Sequence, residues 1–170
     1  GTLDANKIVF GVPAELVLHN IRLGMLTEPP RSENHKFITE AIKYTTDYFQ
    51  TVPVSKLVNA HYQEMQLDKV IIASGKIYDQ VSDDEGSVYA GDMRQNVAKE
   101  QISTGINEAN WGRSSTANRE SNPQLTARIT MHHAQGNYQN GIQAHGLSGG
   151  AGIGTLYSSH GIELSHELGH

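Results

Sequence analysis

His166-Glu167-Leu168-Gly169-His170 sets two imidazoles four residues apart, with a carboxylate directly after the first. On a helix, residues four apart lie about 40° apart around the axis and one turn above each other, so His166 and His170 can share one metal ion. Zinc accepts imidazole nitrogen in this arrangement. Glu167 falls about 100° round from His166, too far to ligate comfortably beside it, yet well placed to take a proton from a water next to the metal. The spacing therefore points to metal-assisted hydrolysis with Glu167 as general base and His166 and His170 as ligands. Leu164 and Leu168 fall on the far side of the same helix and would face a core while the histidines face a cleft. Glu163 shares the histidine side but reads as a first-turn carboxylate favoured by the helix dipole.

The elements that must hold this helix can be traced upstream. Gly149-Gly150-Ala151-Gly152-Ile153-Gly154 is the densest glycine segment. No Gly-Lys-Ser/Thr follows it, so it is not a phosphate loop. Its position predicts that residues 149–156 form an exposed edge strand beside the helix, bare enough to pair with an extended substrate backbone. Residues 125–131 alternate with period two and read as a half-buried strand. Asp92-Met93-Arg94-Gln95 resembles a capping box that opens a helix to about Ala109, with Val97, Ala98, Ile102, Ile106 and Ala109 as its buried stripe. An earlier helix, from the caps at 32–35 to about Gln50, carries Phe37, Ile38, Ala41, Ile42, Thr45, Tyr48 and Phe49 on one stripe. Residues 16–23, 56–60 and 69–73 read as strands, with Ser74-Gly75 as a turn, and 7–13 is an apolar run stopped by proline. Asp83-Asp84-Glu85-Gly86 lacks regular oxygen-ligand spacing and reads as a solvated acidic turn rather than a calcium loop. Residues 111–124 are polar and read as a loop, and Trp111, which could be a sugar-stacking platform but as a lone tryptophan is more often packing, is left unassigned.

Composition narrows the alternatives. A formal net charge of −5 leaves no basic footprint for nucleic acid or anionic lipid. The absence of cysteine removes disulfide scaffolds, thiol nucleophiles and thiolate zinc ligands. No stretch approaches the roughly 18 consecutive apolar residues of a membrane span, and the opening residues lack a signal-peptide pattern. With 17 glycines and only 6% aromatic residues, the chain reads as a loop-rich α+β protein rather than a helix bundle.

Residues 48–57 (Tyr48-Phe49-Gln50-Thr51-Val52-Pro53-Val54-Ser55-Lys56-Leu57), Gly91-Asp92-Met93-Arg94, Gly136-Asn137-Tyr138-Gln139-Asn140-Gly141, His145-Gly146-Leu147-Ser148-Gly149-Gly150 and the segment from Gly161 to His170 together resemble the StcE/TagA family. These are secreted bacterial zinc metalloproteases that cleave mucin-type, O-glycosylated proteins. The resemblance implies a metzincin-like upper subdomain: α+β, a twisted mixed sheet with two backing helices and the start of an active-site helix. It implies Zn2+ held by His166 and His170, Glu167 as base, a mucin-like glycoprotein substrate, and a secreted or bacterial cell-surface location. The metzincin pattern continues as x-x-Gly-x-x-His, so its third histidine would fall past His170. Residues 1–170 are accordingly expected to be one catalytic domain truncated after the second zinc ligand, and inactive as such. His132-His133, His145 and His160 are the internal candidates to replace that ligand, each weighed against an ordinary hydrogen-bonded histidine. The competing reading is a glycoprotein- or glycan-binding module with a non-catalytic metal site, against which the intact Glu167 argues.

Overall fold

The computed structural model describes residues 15–31, 36–44, 46, 56–87, 91–112, 126–144, 147–150, 153–155 and 163–169. It is a mixed α/β structure built on a mixed sheet, in agreement with the α+β expectation. Strand β1 (Glu15–Met25) lies at the centre, and β2 (Lys56–His61) and β3 (Met65–Leu67) pair with it in parallel along one side. On its other side β6 (Thr126–Tyr138) runs parallel to it over eleven paired positions, from Glu15 opposite Thr126 to Met25 opposite Gly136. Then β9 (Ile153–Thr155) joins β6 in parallel, and β8 (Leu147–Gly150) closes the order antiparallel to β9. Strand β7 (Gly141–Gln143) folds back on the end of β6 as a hairpin.

The first strand extends two residues beyond the expected 16–23, and β6 runs seven past the expected 131. Both are longer because each is flanked by parallel neighbours and buried on both faces, where alternation no longer marks the limits. Leu16, Leu18, Leu23 and Met25 are fully buried, each contributing about 1.5–3 kcal/mol. The expected strand at 69–73 is reduced to β4 (Val70–Ile71), paired with β5 (Ile77–Tyr78) in a separate two-stranded ribbon. Gly75 makes the turn with φ of 85°. Val70 and Tyr78 point into the core, while their neighbours Ile71 and Ile77 face outward.

The second expected helix does back the sheet, but its winding differs. Met93–Ser103 is a π-helix, continued by α3 (Thr104–Trp111). The Thr104 N–H reaches the Lys99 carbonyl five residues back, and Ser103 Oγ donates to the Ala98 carbonyl at 2.8 Å. This wider turn advances the buried stripe by one residue. Met93, Val97 and Ala98 are buried as a regular helix would have them, but Ser103 and Asn107 follow, Ile102 and Ile106 are only partly buried, and Ala109 is exposed. Gly112 ends α3 in a left-handed cap. Asp92 caps Met93 N–H at 2.6 Å, whereas the Gln95 amide turns to Glu100 rather than completing a reciprocal box.

The described part of the first helix consists of two short turns, α1 (Lys36–Thr39) and α2 (Ala41–Tyr44). The break at Glu40 disrupts the phase of the single expected stripe, and Ile42 is 88% exposed instead of buried. Residues 7–13, Thr45, Tyr48, Phe49 and the loop at 113–124 lie outside the described residues.

One core face of the sheet carries Ile21, Leu23, Met25, Ala134 and Tyr138 against Val70, Met93, Val97 and Ala98. The phenol of Tyr138 accepts the Arg94 backbone N–H at 3.0 Å, and the buried Arg94 guanidinium stacks over the ring and donates to the Gly86 and Ser87 carbonyls. These contacts dock the acidic loop. Asp84 accepts Gly86 N–H, Asp83 pairs with Lys76, and Ser82 donates to Asp92 at 2.5 Å, so Asp83 and Asp84 serve the folding of this region.

On the other face a polar seam crosses three strands. His133 Nε2 lies 3.2 Å from Asn20 Oδ1, Asn20 Nδ2 donates to Asn59 Oδ1 at 2.5 Å, and Asn59 Nδ2 lies 3.2 Å from His61 Nε2.

Candidate metal centre

Glu163–Gly169 is helical and forms α4, lying against β8 and β9. Burying Leu164 (3% exposed) turns the opposite side of this short helix outward. His166 is exposed, and Glu167 and Glu163 are half-buried. The arrangement agrees with the helical reading of the motif at its first histidine: an imidazole open to solvent and a partly sheltered carboxylate beside it, on a helix fixed by a leucine underneath. His170 and the side chain of Leu168 lie outside what is described.

The donor chemistry fits zinc as far as it extends, since a solvent-facing imidazole on a helix held from behind is a suitable nitrogen donor. Among the described residues, no three His, Asp or Glu side chains converge to hold a metal. The internal candidates divide accordingly. His133 is fully buried in the polar seam with its Nε2 on Asn20, which commits one ring nitrogen to the sheet. The side chain of His132, and all of His145 and His160, lie outside the described residues.

The glycine-rich segment departs from expectation. Residues 149–156 are not a single edge strand. The chain doubles back, so β8 is outermost and β9 lies between β8 and β6 with both of its edges paired. Ile153, the bulky residue of β9, is buried, and that burial draws the strand inward. Ser148 pairs with Gly154 and Gly150 with Ile153, so Gly149 is the extra residue of a bulge. Among the described residues the outer edge of β8 has no strand beside it. The edge next to the helix is therefore Leu147–Gly150, shifted upstream of the predicted segment. Glycine content marked the right region, but not which half of the hairpin lies outside.

Sequence patterns also missed two buried polar centres. Asn20 sits in a strand whose sequence mixes β-branched and polar residues, His133 lies past the strand read at 125–131, and Arg94 sits in the first turn of a helix where an arginine is ordinarily solvated. The seam partners of Asn20 and His133 are 39 to 113 residues away, beyond any local signal, and the Arg94 guanidinium is held by the acidic loop's Gly86 and Ser87 carbonyls.

Similarity to known proteins adds to this geometry. The family profile described as peptidase M66 matches residues 2–170. The chain is 42% identical over 167 residues to the metalloprotease StcE of Escherichia coli O157:H7, covering 97% of this chain and 18% of that protein. It is 44% identical over 172 residues to the ToxR-activated gene A lipoprotein of two Vibrio cholerae serotype O1 strains, covering 100% of this chain and 17% of theirs. The chain thus spans less than a fifth of the length of the curated relatives it matches. No described helix is long and apolar enough to cross a membrane.

Proposed function

The chain belongs to the peptidase M66 family, and on that premise we propose that it forms the core of the catalytic domain of a zinc-dependent endopeptidase cleaving mucin-type O-glycosylated proteins outside the cell. One observation carries the reading at the level of residues: His166 to Gly169 of the motif lie on a helix whose Leu164 is buried and whose His166 faces solvent, next to β8, whose outer edge has no strand beside it among the described residues. The StcE/TagA resemblance supports the glycoprotein substrate, the metzincin-like character of the subdomain and an extracellular or surface location.

In this reading His166 and His170 hold the ion through imidazole nitrogens, and a third histidine of the metzincin pattern, past His170, completes the set. Bound zinc supplies Lewis acidity at the scissile carbonyl and acidifies the attacking water. Glu167 takes the proton from that water and returns it to the leaving amine. Its half-buried position suits a carboxylate that must exchange a proton while shielded from bulk solvent. The substrate backbone lies along the outer edge of β8, which has no strand beside it among the described residues and can offer main-chain hydrogen bonds irrespective of side-chain sequence.

Glu167→Gln in the full-length protein tests the assignment. The amide cannot accept a proton, so zinc content stays at the wild-type level while cleavage of an O-glycoprotein falls on the order of 100- to 10,000-fold. Retention of most activity would remove Glu167 from the mechanism. Loss of zinc together with activity would make the site structural. The edge assignment has its own readout: a bound peptide inhibitor should slow amide hydrogen exchange across Leu147–Gly150, and unchanged exchange there excludes β8 as the substrate strand.

A further inference from the structure

The hairpin that joins β6 to β7 carries chemistry independent of the metal centre. Tyr138 pairs with Gly141, leaving Gln139 and Asn140 as its two-residue loop, both exposed. Gly141, the residue that follows this loop, takes the left-handed backbone, with φ of 99°. We propose that Asn140–Gly141 is a site of spontaneous deamidation whose isoaspartate product loosens the contact between this hairpin and the acidic loop.

The reaction needs an asparagine amide and an unhindered backbone nitrogen on the next residue. Asn140 is the one asparagine in the sequence followed by glycine; the others precede a residue with a side chain at Cβ. At Gly141 a Cβ would meet nothing within 4 Å, so space is open on that side of the attacking nitrogen. The hydrogen bond recorded at Asn140 falls on its carbonyl, from Gln143 Nε2 at 3.3 Å, and leaves the side-chain amide exposed. Asn20 and Asn59, by contrast, have their amides engaged in the polar seam. In the reaction Gly141 N, losing its proton, attacks Asn140 Cγ. The new C–N bond closes a five-membered succinimide, the Cγ–Nδ2 bond breaks, and ammonia leaves. Water then opens the ring at one of its two carbonyls, giving aspartate or isoaspartate.

The consequence follows from what the turn touches. Gln139 N–H donates to the Asp84 carbonyl at 3.0 Å, and Ser82 N–H donates to the Asn137 carbonyl at 3.0 Å. Isoaspartate inserts an extra methylene into the backbone between these anchors and β7. Either product also places a new carboxylate on the residue after Gln139, whose N–H holds the acidic loop at Asp84. The ring of Tyr138, next to the turn, is wedged into the core between Gly86 and Gly136, so a displaced turn pulls on that packing.

The test is to age the full chain at mildly alkaline pH and map its peptides by mass spectrometry with isoaspartate detection, alongside Asn140→Gln, whose longer side chain does not close a five-membered ring. The expected result is conversion at Asn140 ahead of every other asparagine, with a lowered melting temperature in the aged chain and an unchanged one in aged Asn140→Gln. Conversion elsewhere ahead of Asn140, or conversion at Asn140 with no change in melting temperature, overturns the proposal.

Discussion

Tyr138 and His61 show how single titratable groups bind this fold to a pH range. The Tyr138 hydroxyl is pushed up to about 12, chiefly by burial, with the Arg94 charge opposing. A phenol whose folded pKa lies above its ordinary 10.0 favours the neutral form in the folded state. Its contribution is complete below pH 10 and is lost as pH rises through about 12. Difference titration in the ultraviolet should lose one late-ionising tyrosine in Tyr138→Phe, while Tyr78, also raised by burial and by Asp92, stays. That variant also leaves the buried Arg94 N–H without its acceptor, costing about 1–3 kcal/mol, which is a fall of roughly 2–12 °C in melting temperature for a chain of this size. His61 works in the opposite direction. Burial lowers its pKa below 6.5, in accord with a neutral Nε2 that accepts from Asn59. A depressed folded pKa means its contribution is present above pH 6.5 and is lost as pH falls through the lowered value. Denaturant midpoints measured across mildly acidic pH should fall, and His61→Gln, which keeps an acceptor without titrating there, should flatten that fall. An equal fall in both proteins would place the acid sensitivity elsewhere.

At the scale of elements, glycines separate the positions where packing dictates the residue from those where it does not. A Cβ on Gly136 would stand 2.7 Å from Tyr138 and 2.9 Å from Met93 Cε, and one on Gly86 would stand 2.6 Å from the Tyr138 ring at a backbone φ of 61°. Each change to alanine should destabilise by about 1–3 kcal/mol through overpacking, with Gly86→Ala the worse because strain adds to the clash. Gly105 offers the control: it is exposed within α3 and a Cβ there meets nothing within 4 Å. Gly105→Ala should therefore raise stability by up to about 1 kcal/mol through helix propensity alone. Thermal melts of the three variants decide the matter, and a destabilised Gly105→Ala would contradict the solvent-facing placement of that residue. The same helix shows why periodicity misplaced its buried stripe. Val97 and Ala98 were legible, but the hydrogen bonds that shift Ser103 and Asn107 inward follow from a winding that residue spacing does not encode.

At the scale of the whole molecule, the sheet and the metal centre should prove separable. The core on β1, β6 and the π-helix is built without His166, so on the proposed metal site, withholding zinc should leave it folded. On the proposed ligand set, zinc titrated calorimetrically into residues 1–170 should bind much more weakly than zinc titrated into a longer polypeptide that adds a further histidine ligand, while circular dichroism reports the same sheet in both. Equal and tight binding by residues 1–170 would mean that His145 or His160 completes the site.

The sequence by itself carried the expectation for the site, because imidazoles four residues apart with leucines opposite follow from a helical period that needs no distant partner. The structure meets that expectation where it is described, with helix at Glu163–Gly169, Leu164 buried and His166 exposed. The sequence also determined the strand segments at β1, β2 and the start of β6, where β-branched and apolar residues are bounded by turns. Only the tertiary structure decided that β9 lies inside and β8 outside. Both strands are short and glycine-rich, and their order depends on Ile153 reaching a core assembled from residues far away in the chain. It likewise decided that Asn20, Asn59, His61 and His133 form one seam. Burial of Asn20 and His133 is tolerated because each meets a polar partner on a neighbouring strand, and such pairing exists only once the strands are in register.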